Sequence, residues 1–145
     1  MELFIKNFNE LTTEELYSIL KLRVDVFVVE QNCPYPELDN RDKDAVHVYL
    51  KEENEIVAYL RIMDRGVESE YVSIGRVISA KRRRGLGTYI MKEGIKACKE
   101  IFDADIIYIE AQTYARTFYE KSGFKQVSEE FLLDDIPHIK MELKI

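Results

Sequence analysis

The sequence predicts a mixed α/β domain, and three observations carry that expectation. Apolar and polar residues alternate through Val46-His47-Val48-Tyr49-Leu50 and again through Ile56 to Ile62, the period of half-buried strands. Leu16, Ile19, Leu20 and Phe27, and later Ile90 to Phe102, recur at helical spacing. Between these patterns and the C-terminus, Ile106-Ile107-Tyr108-Ile109 is nearly continuous and apolar, as a strand buried on both faces would be. A chain of 145 residues fits one domain, 1–145, able to bury roughly 68–70% of its unfolded surface.

The elements follow in order. Residues 2–7 read as a first strand. Thr12-x-x-Glu15 is a capping box, in which hydroxyl and carboxylate satisfy free amides of a starting helix; the helix is expected over 13–30. Pro34 and Pro36 stop regular structure, and 32–45 reads as a polar loop. An antiparallel hairpin follows, turning at Glu53-Asn54-Glu55, and then a strand from Tyr71 to Ala80. A helix is expected from Gly87 to Phe102, whose apolar face holds Ile90, Met91, Gly94, Ile95, Cys98, Ile101 and Phe102. After the strand at 106–109, a short helix at 114–122 ends at Gly123, a residue suited to a left-handed cap. Two strands, 124–133 and 138–145, complete the chain.

Composition excludes several function classes. The 46% apolar and 33% charged content argues against disorder, and no apolar run approaches a membrane span. No basic stretch leads into a long apolar one at the start, so a cytoplasmic protein without a signal peptide is expected. Cys33 and Cys98 are too few for a disulfide framework, and with two histidines they give no metal-ligand spacing, so no metal is expected. A net charge of −6 argues against nucleic acid or an anionic membrane as partner. Oligomeric state, monomer or homodimer, is left open by the sequence.

Lys81-Arg82-Arg83-Arg84 is the only run of four like charges, and Gly85-Leu86-Gly87 follows directly. A strand ending in basic residues, a Gly-x-Gly turn and a helix together suit a phosphate group. Glycines let the backbone approach, and the helix presents free N–H groups at its positive dipole end. Arginines add charge and bidentate reach. The text is not a P-loop, because Thr88-Tyr89 follows Gly87 without the lysine, nor a dinucleotide fingerprint, because Ile90 stands where its third small residue belongs. A plain glycine turn with solvated arginines is the alternative for this loop alone.

Arg82-Arg83-Arg84-Gly85-Leu86-Gly87 resembles the Gln/Arg-x-x-Gly-x-Gly/Ala motif of the GCN5-related N-acetyltransferases (GNAT). Gly75-Arg76-Val77-Ile78-Ser79 is similar to that family's fourth strand, and Ala115 to Phe124, containing Phe118-Tyr119-Glu120-Lys121-Ser122-Gly123-Phe124, resembles its second motif. Leu22 to Asp39 and the closing Ile136-Pro137-His138-Ile139 resemble the ElaA-like branch, with Asp134-Asp135 standing where that branch commonly has a glycine. The resemblance spans essentially the whole chain.

It implies a GNAT acyl-CoA N-acyltransferase fold, a central mixed but mostly antiparallel sheet flanked by helices. It also implies an acetyl-CoA-dependent N-acetyltransferase acting on a small-molecule amine, polyamine or peptide amine. A non-catalytic acetyl-CoA sensor or scaffold is the alternative function. The cofactor-binding set implied is Val77, Ile78, Arg82, Arg83, Arg84, Gly85, Leu86, Gly87 and Thr88, with a backbone N–H near Ile78 polarising the thioester carbonyl. Tyr119 corresponds to the tyrosine beside the departing sulfur; a phenol can protonate a thiolate at neutral pH. Its alternative is a tyrosine packed beneath the last helix. Candidates for the base are Glu30, Glu37, His47, Glu110 and His138, with Glu110 preferred from its place at the end of the apolar strand. The acceptor-contacting residues expected are Glu30, Glu37 and His138; the acidic stretch 30–44, with Glu37 and Asp39, would suit a cationic acceptor or would be a solvated surface. Cys33 reads as a loop thiol.

Overall fold

A computed structural model describes residues 1–80 and 85–145. Strands β1 (Glu2–Asn7), β2 (Ala45–Glu52), β3 (Glu55–Met63) and β4 (Val72–Ser79) form an antiparallel meander. β5 (Ile106–Gln112) joins β4 in parallel, β8 (Ile136–Lys144) pairs antiparallel with β5, and the short β6 (Lys125–Gln126) and β7 (Phe131–Leu133) both pair with β8. The sheet order is therefore β1-β2-β3-β4-β5-β8-β6.

Helix α1 (Thr13–Val24) begins as the capping box predicts: the Glu15 amide donates to the Thr12 hydroxyl at 3.1 Å, and the Thr12 amide to the Glu15 carboxylate at 2.9 Å. The same carboxylate accepts from the Tyr49 hydroxyl at 2.6 Å and from Lys6, which fastens the start of α1 to the sheet. Burial by itself would raise the Glu15 pKa, but the Thr12 amide, Tyr49 and Lys6 outweigh it and hold the group at about 2. The predicted helix over 13–30 is continuous in course but not in geometry. Residues Asp25–Glu30 form a π-helical turn, a widening often found at functional sites.

Helix α2 (Leu86–Phe102) lies on one face of the sheet, where Ile90, Met91, Ala97 and Cys98 pack with Leu60, Ile62, Ile107 and Ile109. On the opposite face, Ile19, Leu22, Val26 and Phe27 of the first helix cover Tyr49, Tyr59 and Ile78. The hairpin turn falls at Glu53 and Asn54, both left-handed with φ of 51° and 65°, as a two-residue turn between twisted strands requires. Asp134 and Asp135 make the same kind of turn between β7 and β8 without a glycine, at φ of 50° and 62°.

Two expectations need correction. The helix predicted over 114–122 is a 3₁₀ turn (Thr113–Ala115) leading into α3 (Arg116–Glu120). The strand predicted over 124–133 divides into β6 and β7, because the hydrogen-bonding partner β8 is met at two separate stretches.

Candidate active site

β4 and β5 pair at only two positions, Val72 with Ile107 and Ser73 with Tyr108. Beyond these the strands diverge, and a cavity of about 530 Å³ opens between them. Its walls include Ile74, Gly75, Arg76, Val77 and Ser79 from β4 and Ile109, Glu110 and Gln112 from β5. Phe27 and Gln31 at the end of the first helix, Cys33 and Tyr35 beyond it, and His138 of β8 also line it. Gln31 and Gln112 exchange amide hydrogen bonds at 3.3 and 3.2 Å across the opening.

A bulge shapes the β4 wall. Tyr59 faces Ile78 but Arg61 faces Gly75, so Leu60 opposes two residues, and Arg76 takes a left-handed φ of 53°. The Ala80 amide donates to the Val57 carbonyl at 2.8 Å, which marks Val57 and Ala80 as a hydrogen-bonded pair. Alternation along the strand makes Tyr59 and Ile78 the next such pair, so the main chain of Ile78 faces β3. This corrects the expected role of Ile78: its N–H points away from the cavity and its side chain is buried against Tyr49 and Tyr59. The neighbouring main chain of Val77 and Ser79 turns towards the cavity, which both residues line.

The N-terminus of α2 closes one end. Gly85 caps the helix at a left-handed φ of 70°, a conformation costly for any residue with a β-carbon. The first intrahelical bond runs from the Tyr89 amide to the Gly85 carbonyl, so the amides of Leu86, Gly87 and Thr88 have no intrahelical partner. Gly87 lines the cavity, Thr88 is exposed, and the Leu86 side chain is buried in the core, so only its amide can serve a ligand. A β-carbon on Gly87 would lie 3.3 Å from the Phe118 ring, so a close approach at this corner depends on glycine. Arg82, Arg83 and Arg84 lie outside the described residues.

Tyr119 of α3 lines the cavity, held edge-on between the rings of Phe118 (5.1 Å) and Phe124 (6.1 Å). Burial pushes its phenol above the ordinary tyrosine range, so it stays protonated and can donate but not accept a proton.

Of the proposed bases, the structure brings Glu110 and His138 into the cavity. Glu110 is exposed there, accepts a 2.8 Å hydrogen bond from the Tyr108 hydroxyl, and has no ion pair among the described residues. The Nδ1 of His138 lies 2.7 Å from the Ile136 carbonyl, which fixes the proton on Nδ1 and leaves Nε2 as the acceptor of the neutral ring.

The other three are corrected. Glu30 is exposed and does not line the cavity. His47 is fully buried between the Tyr59 hydroxyl and the Asp42 carbonyl, and burial pushes its pKa down. Glu37 is buried, with its carboxylate on Arg23 at 3.0 Å and on Arg76. Asp42 accepts from Arg23 at 2.6 Å and from Arg61 at 3.0 Å; burial opposes its ionisation, but the two guanidinium groups outweigh it and hold the carboxyl below its usual range. Asp39 binds Arg61 and Arg76. Three acids of the loop thus neutralise three arginines, and Glu37 and Asp39 are not left facing an acceptor. One sign of this pairing is present in the sequence: Arg23 sits on the apolar stripe of the first helix, where a charge requires a buried partner. Gln31, Tyr35 and Gln112 carried no comparable sign.

Residues 11–145 match the acetyltransferase (GNAT) domain family. The chain belongs to the GNAT acetyltransferase family. The ElaA protein of Escherichia coli is 38% identical over 141 residues, covering 94% of this chain and 92% of ElaA. A UPF0039 protein of Schizosaccharomyces pombe is 38% identical over 149 residues, 100% of this chain and 98% of its own. The crystal structure of Escherichia coli ElaA matches with a TM-score of 0.92 at 37% identity, and an acyl-CoA N-acyltransferase from Pseudomonas aeruginosa with 0.91 at 39%, each over 99% of both chains. The GNAT acyl-CoA N-acyltransferase fold and the ElaA-like resemblance anticipated from the sequence are therefore found. GNAT domains use an acyl-CoA donor, and in this chain the open amides at the start of α2 stand at one corner of the cavity between β4 and β5.

Proposed function

We propose that the protein transfers the acetyl group of acetyl-CoA to an amine by direct attack in a ternary complex. The observation that carries the proposal is the gap between β4 and β5, which places one row of groups along a single cavity. Gly87 stands at the α2 amides, Val77 on the bulged strand, Tyr119 on α3, and Glu110 and His138 opposite.

The CoA phosphates lie at the N–H groups of Leu86, Gly87 and Thr88, where helix dipole and open amides favour negative charge. The pantetheine arm runs beside Val77 as an added strand would. The acceptor ammonium gives a proton to Glu110, directly or through His138, and the free amine nitrogen attacks the thioester carbonyl. A tetrahedral intermediate forms, its C–S bond breaks as the departing sulfur takes the Tyr119 proton, and the second proton of the attacking nitrogen restores the Tyr119 phenol. Products are the amide and free CoA.

Two measurements test this. Acetyl-CoA at 100 times its Kd should add about 2.7 kcal/mol of stability, seen as a raised Tm. Free thiol release should then be followed against a panel of small amines, polyamines and peptides. Thermal shift with turnover is the expected result. A shift with no turnover on any amine would replace the enzyme with a CoA-binding module, and no shift at all would overturn donor binding.

A further inference from the structure

Beside the main cavity, on the α1 side of the sheet, lies a smaller recess of about 110 Å³, space for several waters or a few ligand atoms. Arg61, Ser73, Tyr108, Glu110 and His138 line it, and Glu110 and His138 line both spaces. Two residues at its base hold buried polar atoms without a partner among the described residues: Nε of Arg61 and Oγ of Ser73. Orphans of this kind are uncommon, since each carries a desolvation cost that a bound group or water removes.

We infer that this recess receives a neutral oxygen of the acceptor, a hydroxyl or a carbonyl a few atoms from its amine, in a substrate class of amino alcohols and amino amides; the inference rests on the acetyl-transfer proposal. The charges select for neutrality. Both terminal nitrogens of Arg61 already donate to Asp39 and Asp42, so its charge is answered and Nε is its nitrogen left without a partner among the described residues. Glu68, also at the recess, is paired with Arg41. Glu110 remains as the carboxylate without a cation among the described residues. A ligand carboxylate in the recess would add a second negative charge beside Glu110, and the acceptor's single ammonium offsets only one of the two. A second ammonium would point donors at the Arg61 N–H. A neutral oxygen accepts from Arg61 and exchanges a hydrogen bond with Ser73, while the amine lies towards Glu110.

The test compares ethanolamine and glycinamide with propylamine, which lacks the oxygen, and with glycine, which presents a carboxylate. Binding to the CoA-saturated protein is read by saturation-transfer NMR, and turnover by thiol release at matched free-base concentration. Ethanolamine and glycinamide should bind roughly 3–10-fold more tightly than propylamine, the loss expected for one or two neutral hydrogen bonds. In Ser73→Ala that ratio should fall towards one; the substitution breaks no internal hydrogen bond of the Ser73 hydroxyl, so the variant should fold. Equal or undetectable binding of all four amines, strongest binding of glycine, or a ratio unmoved by Ser73→Ala would overturn the inference. Absence of turnover with the NMR preference intact would instead count against acetyl transfer alone, so the two failures are distinguishable.

Discussion

Gly87 faces the Phe118 ring so closely that a β-carbon would stand 3.3 Å from Cε1 and 3.6 Å from the Ser79 β-carbon. The helix corner, α3 and the end of β4 meet at that point. Gly87→Ala should therefore leave the fold intact, because the backbone there needs no left-handed conformation, yet displace Phe118 by a few tenths of an ångström at the cavity wall. Acetyl-CoA affinity should drop by roughly 3–10-fold, about 1 kcal/mol. Calorimetric titration checks it; unchanged affinity would mean that the donor does not approach this corner.

Tyr119→Phe removes one hydroxyl and keeps the ring stack with Phe118 and Phe124. Acetyl-CoA binding should persist while kcat falls by about 10²–10⁴-fold, the span of general acid catalysis. Steady-state thiol release is the assay. A kcat within twofold of the parent would return Tyr119 to a packing role.

Glu37→Ala strips Arg23 and Arg76 of a shared carboxylate inside the fold. Removing one partner of a buried pair costs about 3–5 kcal/mol, so Tm should drop by roughly 10 °C or more. Thermal denaturation followed by circular dichroism decides it. A near-neutral result would show that water or Asp39 readily replaces the carboxylate.

Glu15 supplies a pH dependence. Its folded pKa of about 2 lies below the ordinary carboxylate value, so its contribution is complete above the unfolded pKa of about 4.3. It is lost as pH falls from there towards 2. Glu15→Gln should lower Tm by several degrees at pH 7, and the gap from the parent should narrow steadily below pH 4. Denaturation series at matched ionic strength will show this; a constant gap would dissociate Glu15 ionisation from acid stability.

The periodic elements were legible because burial on one face writes itself into composition. Alternation located β2 and β3, the capping box located the start of α1, and Gly85 and Gly87 located the helix corner. The π turn at Asp25–Glu30 left no mark, since a wider helical turn uses the same residue types. Nor did the bulge at Arg76, whose left-handed backbone is imposed by the register on either side. The inward course of the acidic loop was hidden for a third reason. Glu37, Asp39 and Asp42 meet Arg23, Arg61 and Arg76 only after α1, β3 and β4 have packed, and local sequence does not encode such distant pairing.

The two-residue contact between β4 and β5 gives the domain a mechanical seam. Main-chain bonds stitch β1 to β4 on one side and β5 to β8 on the other, with Val72–Ile107 and Ser73–Tyr108 as the only register positions joining them among the described residues. A ligand seated in that seam acts as a splint. Amide exchange at Glu110 and Gln112, whose N–H groups alternate away from β8 and face β4, should slow when it is filled, so the stiffness of the sheet becomes a measure of occupancy.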